Sequence, residues 1–229
     1  EWLDDGTGPF FAMLNFMDAH EPYAPPDADR RYSSPGDPDW LFRGDEAAPY
    51  TPDQIQALEN ASDDEIALLD RAVGRLFEDL EARGLLESTV VLVTSDHGDS
   101  FGENGWMNHH ISNMHRSLLH VPLVAFGADL PAGDRIRDPV ALARIPATVA
   151  SWAGFSDHPF PGPPLWGAGG SPGPIEPAAS SFHGWFSLVD GDLHYLRNAD
   201  GTELLYHWVD DPWEEQDLTS DPAYTADLV

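Results

Sequence analysis

The sequence predicts an α/β layered protein with a largely parallel sheet, followed by a small antiparallel subdomain. Two observations carry that expectation. Short, continuous apolar runs flank one strongly amphipathic stretch, the pattern of strands buried on both faces and covered by helices. Beyond residue 178 the runs change to alternating segments separated by turn dipeptides. A chain of 229 residues is long enough for one medium domain with a small extension.

The elements follow in order. "PFFAMLNFM", residues 9–17, reads as a buried strand. The next stretch, "DAHEPYAPPDADRRYSSPGDPDW", is too rich in Pro for regular structure and reads as a long surface loop. "TPDQIQALENA" carries a helix start, with Thr51 as cap and Pro52 after it. "SDDEIALLDRAVGRLFEDLEARG" predicts a second helix. Ser62 and Glu65 are spaced as a capping box, Ile66, Leu69, Val73, Leu76, Phe77 and Leu80 form one apolar face, and Gly84 marks the stop. A strand over 89–94 runs into Asp96, and another is expected near 121–126. "LARIPATVASWAG" predicts a helix with Pro146 in its first turn. Residues 159–178 are almost wholly Pro, Gly and small residues, a linker or draped loop. After it, "VDGD" and "NADG" are hairpin turns. The expected organisation is therefore an α/β domain over 1–158, the loop over 159–178, and an antiparallel subdomain over 179–229.

Composition narrows the functional classes. Forty acids face eleven bases, all of them Arg, for a formal net charge of −29. The chain is too rich in Trp, Phe and Leu for a disordered acidic tail. An acid-coated surface repels itself at low salt, and molar salt shortens the Debye length to about 3 Å, so a salt-adapted, haloarchaeal-like organism is expected. No basic patch exists to bind nucleic acid, and no apolar run is long enough to span a membrane. With 0 Cys there is no disulfide and no thiolate ligand. Residues 1–11 lack the basic and apolar regions of a secretory signal.

Chemistry concentrates at three places. Asp96 and His97 stand at the carboxyl end of a strand, where open parallel sheets bind ligands. A carboxylate and an imidazole together can hold a divalent cation. Taken alone, such a pair is more often a turn cap beside a loop histidine. His20 also follows an apolar run and can serve an anionic substrate's bridging oxygen. In "WMNHHISNMHRSLLHVP", His109 or His110 can reach back to the Asp96 loop, and His115 and His120 read as structural.

Taken in order, these segments resemble the sulfatases, within the wider alkaline-phosphatase superfamily of metal-dependent ester hydrolases. "FFAMLNFMDAHEPYAPP" is similar to the family's strand ending in Asp-x-His-x-Pro-Tyr. "LLDRAVGRLFEDLEARGLLESTVVLVTSDHGDSFGENG" resembles its helix, strand and Ser-Asp-His-Gly segment. "LHYLRNADGTELLYHWVDDPWEEQDL" resembles its C-terminal signature, carried here by Asp211, Pro212, Glu214 and Leu218.

The resemblance implies a three-layer α/β/α sandwich, here without its N-terminal part. It implies hydrolysis of small anionic sulfate esters, sulfated sugars among them. Asp96 and His97 would hold one divalent cation, usually calcium, with Mg2+ or Mn2+ as alternatives. His20 would assist the leaving oxygen. His109, or His110 with the register moved by one, would neutralise the sulfate. The family's formylglycine nucleophile arises in a Cys/Ser-x-Pro-x-Arg motif that this chain does not contain, and the Asp4–Asp5 pair precedes the strand that metal-binding acids should follow. The expectation is thus a C-terminal portion of a longer enzyme, inactive and weakly stable by itself. Phosphoester or phosphonate-ester hydrolysis, phosphoethanolamine transfer, and an inactive anion-binding fragment stand as alternatives.

Overall fold

A computed structural model describes residues 8–35, 50–109, 113–128, 130–167 and 171–225. The chain divides into two compact units, residues 1–80 and 81–229. No helix among the described residues is long and apolar enough to cross a membrane.

In the first unit, helix α1 (Pro52–Ala82) starts where the sequence places it. Thr51 Oγ1 accepts the Gln54 amide at 3.3 Å, and Gln54 Oε1 accepts the Thr51 amide at 2.9 Å. This is a reciprocal capping box, and Pro52 occupies a position whose N–H would have no helical partner. The second box expected at Ser62 and Glu65 does not form, because one helix runs through both predicted segments. Asp64 and Glu65 are buried and turned instead to the Pro-rich loop. Asp64 takes the amides of Arg31, Tyr32 and Ser33 at 2.7, 3.1 and 3.0 Å, and the Ser33 hydroxyl at 2.6 Å. Glu65 takes the Ala24 amide at 3.0 Å. A loop without a ladder of its own needs acceptors for its N–H groups, and the helix supplies them. Burial alone would push the Asp64 carboxyl up; the Ser33 hydroxyl and the loop amides outweigh it and hold the carboxyl below its usual range. Tyr23, Leu58 and Ala61 are buried with them.

Two sequence expectations fail in this unit. Residues 9–17 are not a buried strand: Phe11, Met13, Leu14 and Met17 are more than half exposed, and no strand pairs with this segment among the described residues. An apolar run reports a preference for burial, but a strand exists only with a ladder partner. Ile66, expected on the apolar face of α1, is also exposed.

The second unit begins at Glu81, in the last turn of α1, and the chain leaves that helix through Gly84 (φ 67°), the expected stop. Strand β1 (Val90–Thr94) follows. Next come a short hairpin of β2 (Ser100–Phe101) and β3 (Met107–Asn108), a one-turn helix α2 (Arg116–Leu119), and β4 (Leu123–Gly127). β1 and β4 pair antiparallel, with Val90 opposite Gly127 and Thr94 opposite Leu123. This corrects the expected parallel sheet at that pair. The connection returns the chain to the end of β1 that it left, whereas a parallel partner needs a crossover back to the other end. Helix α3 (Ile145–Trp152) has Pro146 in its first turn, as predicted.

The Pro/Gly-rich stretch is clasped by Arg144, which is 5% exposed. Its guanidinium donates to the carbonyls of Pro163, Pro164 and Pro174 at 2.8, 3.0 and 2.9 Å. Thr148 Oγ1 accepts the Leu165 amide at 2.7 Å. Strands β5 (Ala178–Phe182), β6 (Trp185–Asp190), β7 (Leu193–Asn198) and β8 (Glu203–His207) then form one antiparallel meander. Its turns at Gly191 and Gly201 (φ 54° and 92°) fall in the two predicted dipeptides, where a left-handed residue is needed. Met114 next to α2 packs with Leu196 of β7 and Tyr206 of β8, so the meander is anchored to the segment that follows the β2–β3 hairpin. Full burial of each such side chain contributes about 1.5–3 kcal/mol.

Candidate metal and anion site

The loop leaving β1 is built by its own side chains. Ser95 Oγ donates to the His97 carbonyl at 2.7 Å, and Asp96 Oδ1 accepts the His97 amide at 3.1 Å. Gly98 then packs directly on α2. Its amide donates to the Leu118 carbonyl at 2.8 Å, and a Cβ added there would lie 2.2 Å from the Ser117 carbonyl oxygen. Only glycine lets the loop approach that closely. The hydroxyls of Ser100 and Ser117 meet at 2.7 Å, a second tie to α2.

The β2–β3 hairpin does the rest. Its register pairs Ser100 with Asn108, so Asp99 and His109 are the next residues across. The His109 Nδ1–H donates to Asp99 Oδ1 at 2.6 Å, with the two side chains 18% and 12% exposed. The His97 ring lies against the His109 ring, centroids 4.3 Å apart. His97 Nδ1 is 2.9 Å from the Gly98 carbonyl. A carbonyl only accepts, so Nδ1 carries the proton and the lone pair of the neutral ring is on Nε2, the arrangement a metal-binding imidazole needs. His97, Asp99 and His109 each offer a ligand atom within 4.8 Å of the other two.

The structure places the predicted residues as follows. His97 and His109 come together. Asp96 is adjacent, 90% exposed, with Oδ1 4.0 Å from His97 Nε2. Donors about 2.0–2.5 Å from one ion are separated by roughly 3–4.5 Å, so this pair fits a shared cation. His20 belongs to the first compact unit, where its Nδ1–H donates to the Glu21 carbonyl at 2.6 Å. His110, Asp4 and Asp5 lie outside the described residues. Asp99 is the residue that sequence reasoning passed over. Its signal was positional: two residues beyond His97 and directly before Ser100–Phe101, it faces whatever the returning hairpin strand presents.

A second buried group supports the loop from behind. Glu214, of the C-terminal signature, is 2% exposed with φ 57°. Its Oε2 accepts from His115 Nδ1 at 2.9 Å and from the Arg116 amide at 3.0 Å; its Oε1 is bonded to His194 Nδ1. His194 Nε2 in turn meets the Ser187 hydroxyl at 2.8 Å. Ser187, His194 and Glu214 thus line up as hydrolytic triads do, but all are buried and no substrate reaches them. Burial alone would raise the Glu214 carboxyl. The hydrogen bonds from His115 and His194, the His194 charge and the Arg116 amide outweigh it and bring the carboxyl down to about 2. The guanidinium of Arg116 also stands 5.2 Å over the Trp208 ring. The contacts run from β7 through Glu214 to α2, and from α2 to Gly98 and Ser100, either side of Asp99.

Comparison with known proteins places this geometry in context. The family model described as Sulfatase matches residues 1–155. A choline-sulfatase of Rhizobium meliloti (strain 1021) is 29% identical over 177 residues, 71% of this chain and 33% of that protein. Among solved structures, the phosphonate monoester hydrolase of Agrobacterium radiobacter has a TM-score of 0.66 at 23% identity, covering 79% of this chain and 40% of the other. A second, in complex with its substrate D-glucosamine-2-N,6-O-disulfate, has a TM-score of 0.65 at 19% identity, covering 76% and 38%. The structural likenesses show a shared fold. The chain spans about a third of the length of the choline-sulfatase and about two fifths of each solved chain.

Proposed function

The chain belongs to the sulfatase family, and we propose that it is the C-terminal portion of a longer metal-dependent enzyme that hydrolyses sulfate esters. The observation that carries this reading is the loop after β1, which sets carboxylate and imidazole donors around His97 at the end of a strand. The partial coverage of its relatives supports the longer protein. In this reading residues 1–158 belong to a three-layer α/β/α domain, 159–178 are a draped loop, and 179–229 form the C-terminal subdomain. The substrate is a small anionic ester; a sulfated sugar is favoured by the ligand of one structural neighbour. The charge of −29 fits a high-salt setting.

Asp96 and His97 hold the divalent cation, Ca2+ by family resemblance. When bound, it supplies Lewis-acid charge to the ester's nonbridging oxygens and to the nucleophile. His109 is kept in one orientation by Asp99 and presents its other ring nitrogen to a sulfate oxygen, where a hydrogen bond or positive charge favours the transition state. By family resemblance His20 assists the leaving oxygen; with its Nδ1–H held by the Glu21 carbonyl, it gives a proton from Nε2 only as the imidazolium and is left as the neutral ring. The formylglycine nucleophile belongs to the residues before this chain.

The test is peptide mapping of the native gene product, with its activity on p-nitrophenyl sulfate, a phosphonate monoester and a phosphodiester after metal removal and readdition. A longer product carrying formylglycine, with calcium-restored sulfatase turnover, is expected. Preference for the phosphorus esters would replace the substrate class. No turnover on any ester would leave an anion-binding protein.

A further inference from the structure

We propose that His97, Asp99 and His109 form a chelating site for a borderline divalent transition ion of the Zn2+ class. This set differs from the Asp96–His97 pair assigned to calcium and shares only His97 with it.

Three observations support the site. The first is distance. The three ligand atoms lie within 4.8 Å of one another. Ligands about 2.0–2.2 Å from one tetrahedral ion are roughly 3.3–3.6 Å apart, so closure needs side-chain shifts of up to about 1 Å, with the 2.6 Å Asp99–His109 contact opening to that spacing. The second is donor chemistry. Two imidazoles and one carboxylate make an N2O set, which suits Zn2+, Co2+ or Ni2+ better than calcium, whose shell is mostly oxygen. The third is preorganisation. The Ser100–Asn108 register holds Asp99 and His109 face to face, the Gly98 carbonyl fixes the His97 tautomer, and Gly98 is wedged against α2. The carboxylate of Asp99 and the imidazole of His109 are already largely out of water, so the ion meets donors that are partly desolvated.

Chelation places the ion where the His109 Nδ1–H now meets Asp99, so that hydrogen bond is exchanged for coordination and the neutral ring moves its proton to the other nitrogen. His109 then serves as a ligand and no longer meets a sulfate oxygen. The same loop therefore takes either calcium with an anion at His109, or a Zn2+-class ion without one.

The test reads metal binding by the 229-residue chain, under salt conditions in which circular dichroism shows it folded, and not turnover, so its result and that of the hydrolase reading are separable. Co2+ is titrated against visible d–d absorption, and Zn2+ by calorimetry. One equivalent is expected, with Asp99→Asn and His109→Gln each weakening it by about tenfold or more. His183→Asn, an exposed histidine in the β5–β6 turn, should leave the affinity unchanged. The chain has 0 Cys, so His109→Cys should restore Zn2+ affinity and add a thiolate–Co2+ charge-transfer band that a misfolded variant would not show. Wild-type affinity in both Asp99→Asn and His109→Gln, or no stoichiometric ion in the parent chain, overturns the site.

Discussion

Glu214 and His115 are 99 residues apart in sequence and share a 2.9 Å hydrogen bond with both side chains buried. The bond ties the C-terminal signature to the residue that starts α2. Removing one partner of a buried charged network leaves the others desolvated and unpaired, at a cost of about 3–5 kcal/mol. Glu214→Ala should therefore lower the unfolding free energy measured in urea by that amount, while Glu215→Ala, at an exposed position, should not. Equal midpoints for the two variants would show that the bond is incidental.

Acid should release the same latch. The Glu214 carboxyl titrates at about 2 in the folded chain against 4.5 for the unfolded one. A depressed carboxylate contributes stability that is complete above the unfolded value and is lost as pH falls through the folded one. About 3 kcal/mol should drain between roughly pH 4.5 and 2. Urea denaturation across that window checks it, and Glu214→Gln should flatten the profile.

Asp64 invites a local test. It alone accepts three consecutive amides and a hydroxyl from residues 31–33. Asp64→Asn replaces one acceptor oxygen by a donor and should cost about 1–3 kcal/mol. Hydrogen exchange at Arg31, Tyr32 and Ser33 should accelerate first, ahead of α1. Unchanged protection there would mean that the loop is held by other contacts.

Gly98→Ala should act on the site more than on the fold. The new methyl group would meet the Ser117 carbonyl at 2.2 Å, so the loop must withdraw from α2. Overpacking of this kind costs about 1–3 kcal/mol. The expected signature is a Co2+ affinity reduced by about tenfold while far-UV circular dichroism is unchanged. Parent-like affinity would separate the metal loop from its support.

In the complete enzyme, His109→Ala should lower kcat/KM on a sulfate ester by about 10²–10³ through loss of a group facing the reacting oxygens. His109→Lys should recover most of it, because charge and reach are what the position supplies. Equal losses in both variants would point to a structural role.

Much of this was legible in the sequence, and the pattern of what was not is instructive. Thr51, Pro52 and Gly84 marked the ends of α1 because capping and left-handed geometry are local. Gly191 and Gly201 marked hairpins for the same reason. The failures share a cause in contacts distant along the chain. Ser62 and Glu65 have capping spacing, yet Glu65 answers Ala24, 41 residues away. Val90–Thr94 is apolar whether its neighbour is parallel or antiparallel, so Leu123–Gly127 could not be oriented from composition. At the site, His97 and His109 stood out by residue type. Asp99 needed the hairpin register, which two-residue strands do not announce.

Arg144 gives the least ordered-looking stretch of the chain a fixed measure. One guanidinium holds three carbonyls, at positions 163, 164 and 174, and Gly173 is pressed so near the Pro164 carbonyl that an added Cβ would lie 2.1 Å from it. Composition alone would recommend this Pro/Gly tract as the place to splice in a tag or a foreign peptide. The clasp reverses that advice. Extra residues between 164 and 173 would have to bulge outward without moving either anchor, whereas the open tip at Gly191, where nothing lies within 4 Å of an added Cβ, tolerates a graft at the expense of a single turn.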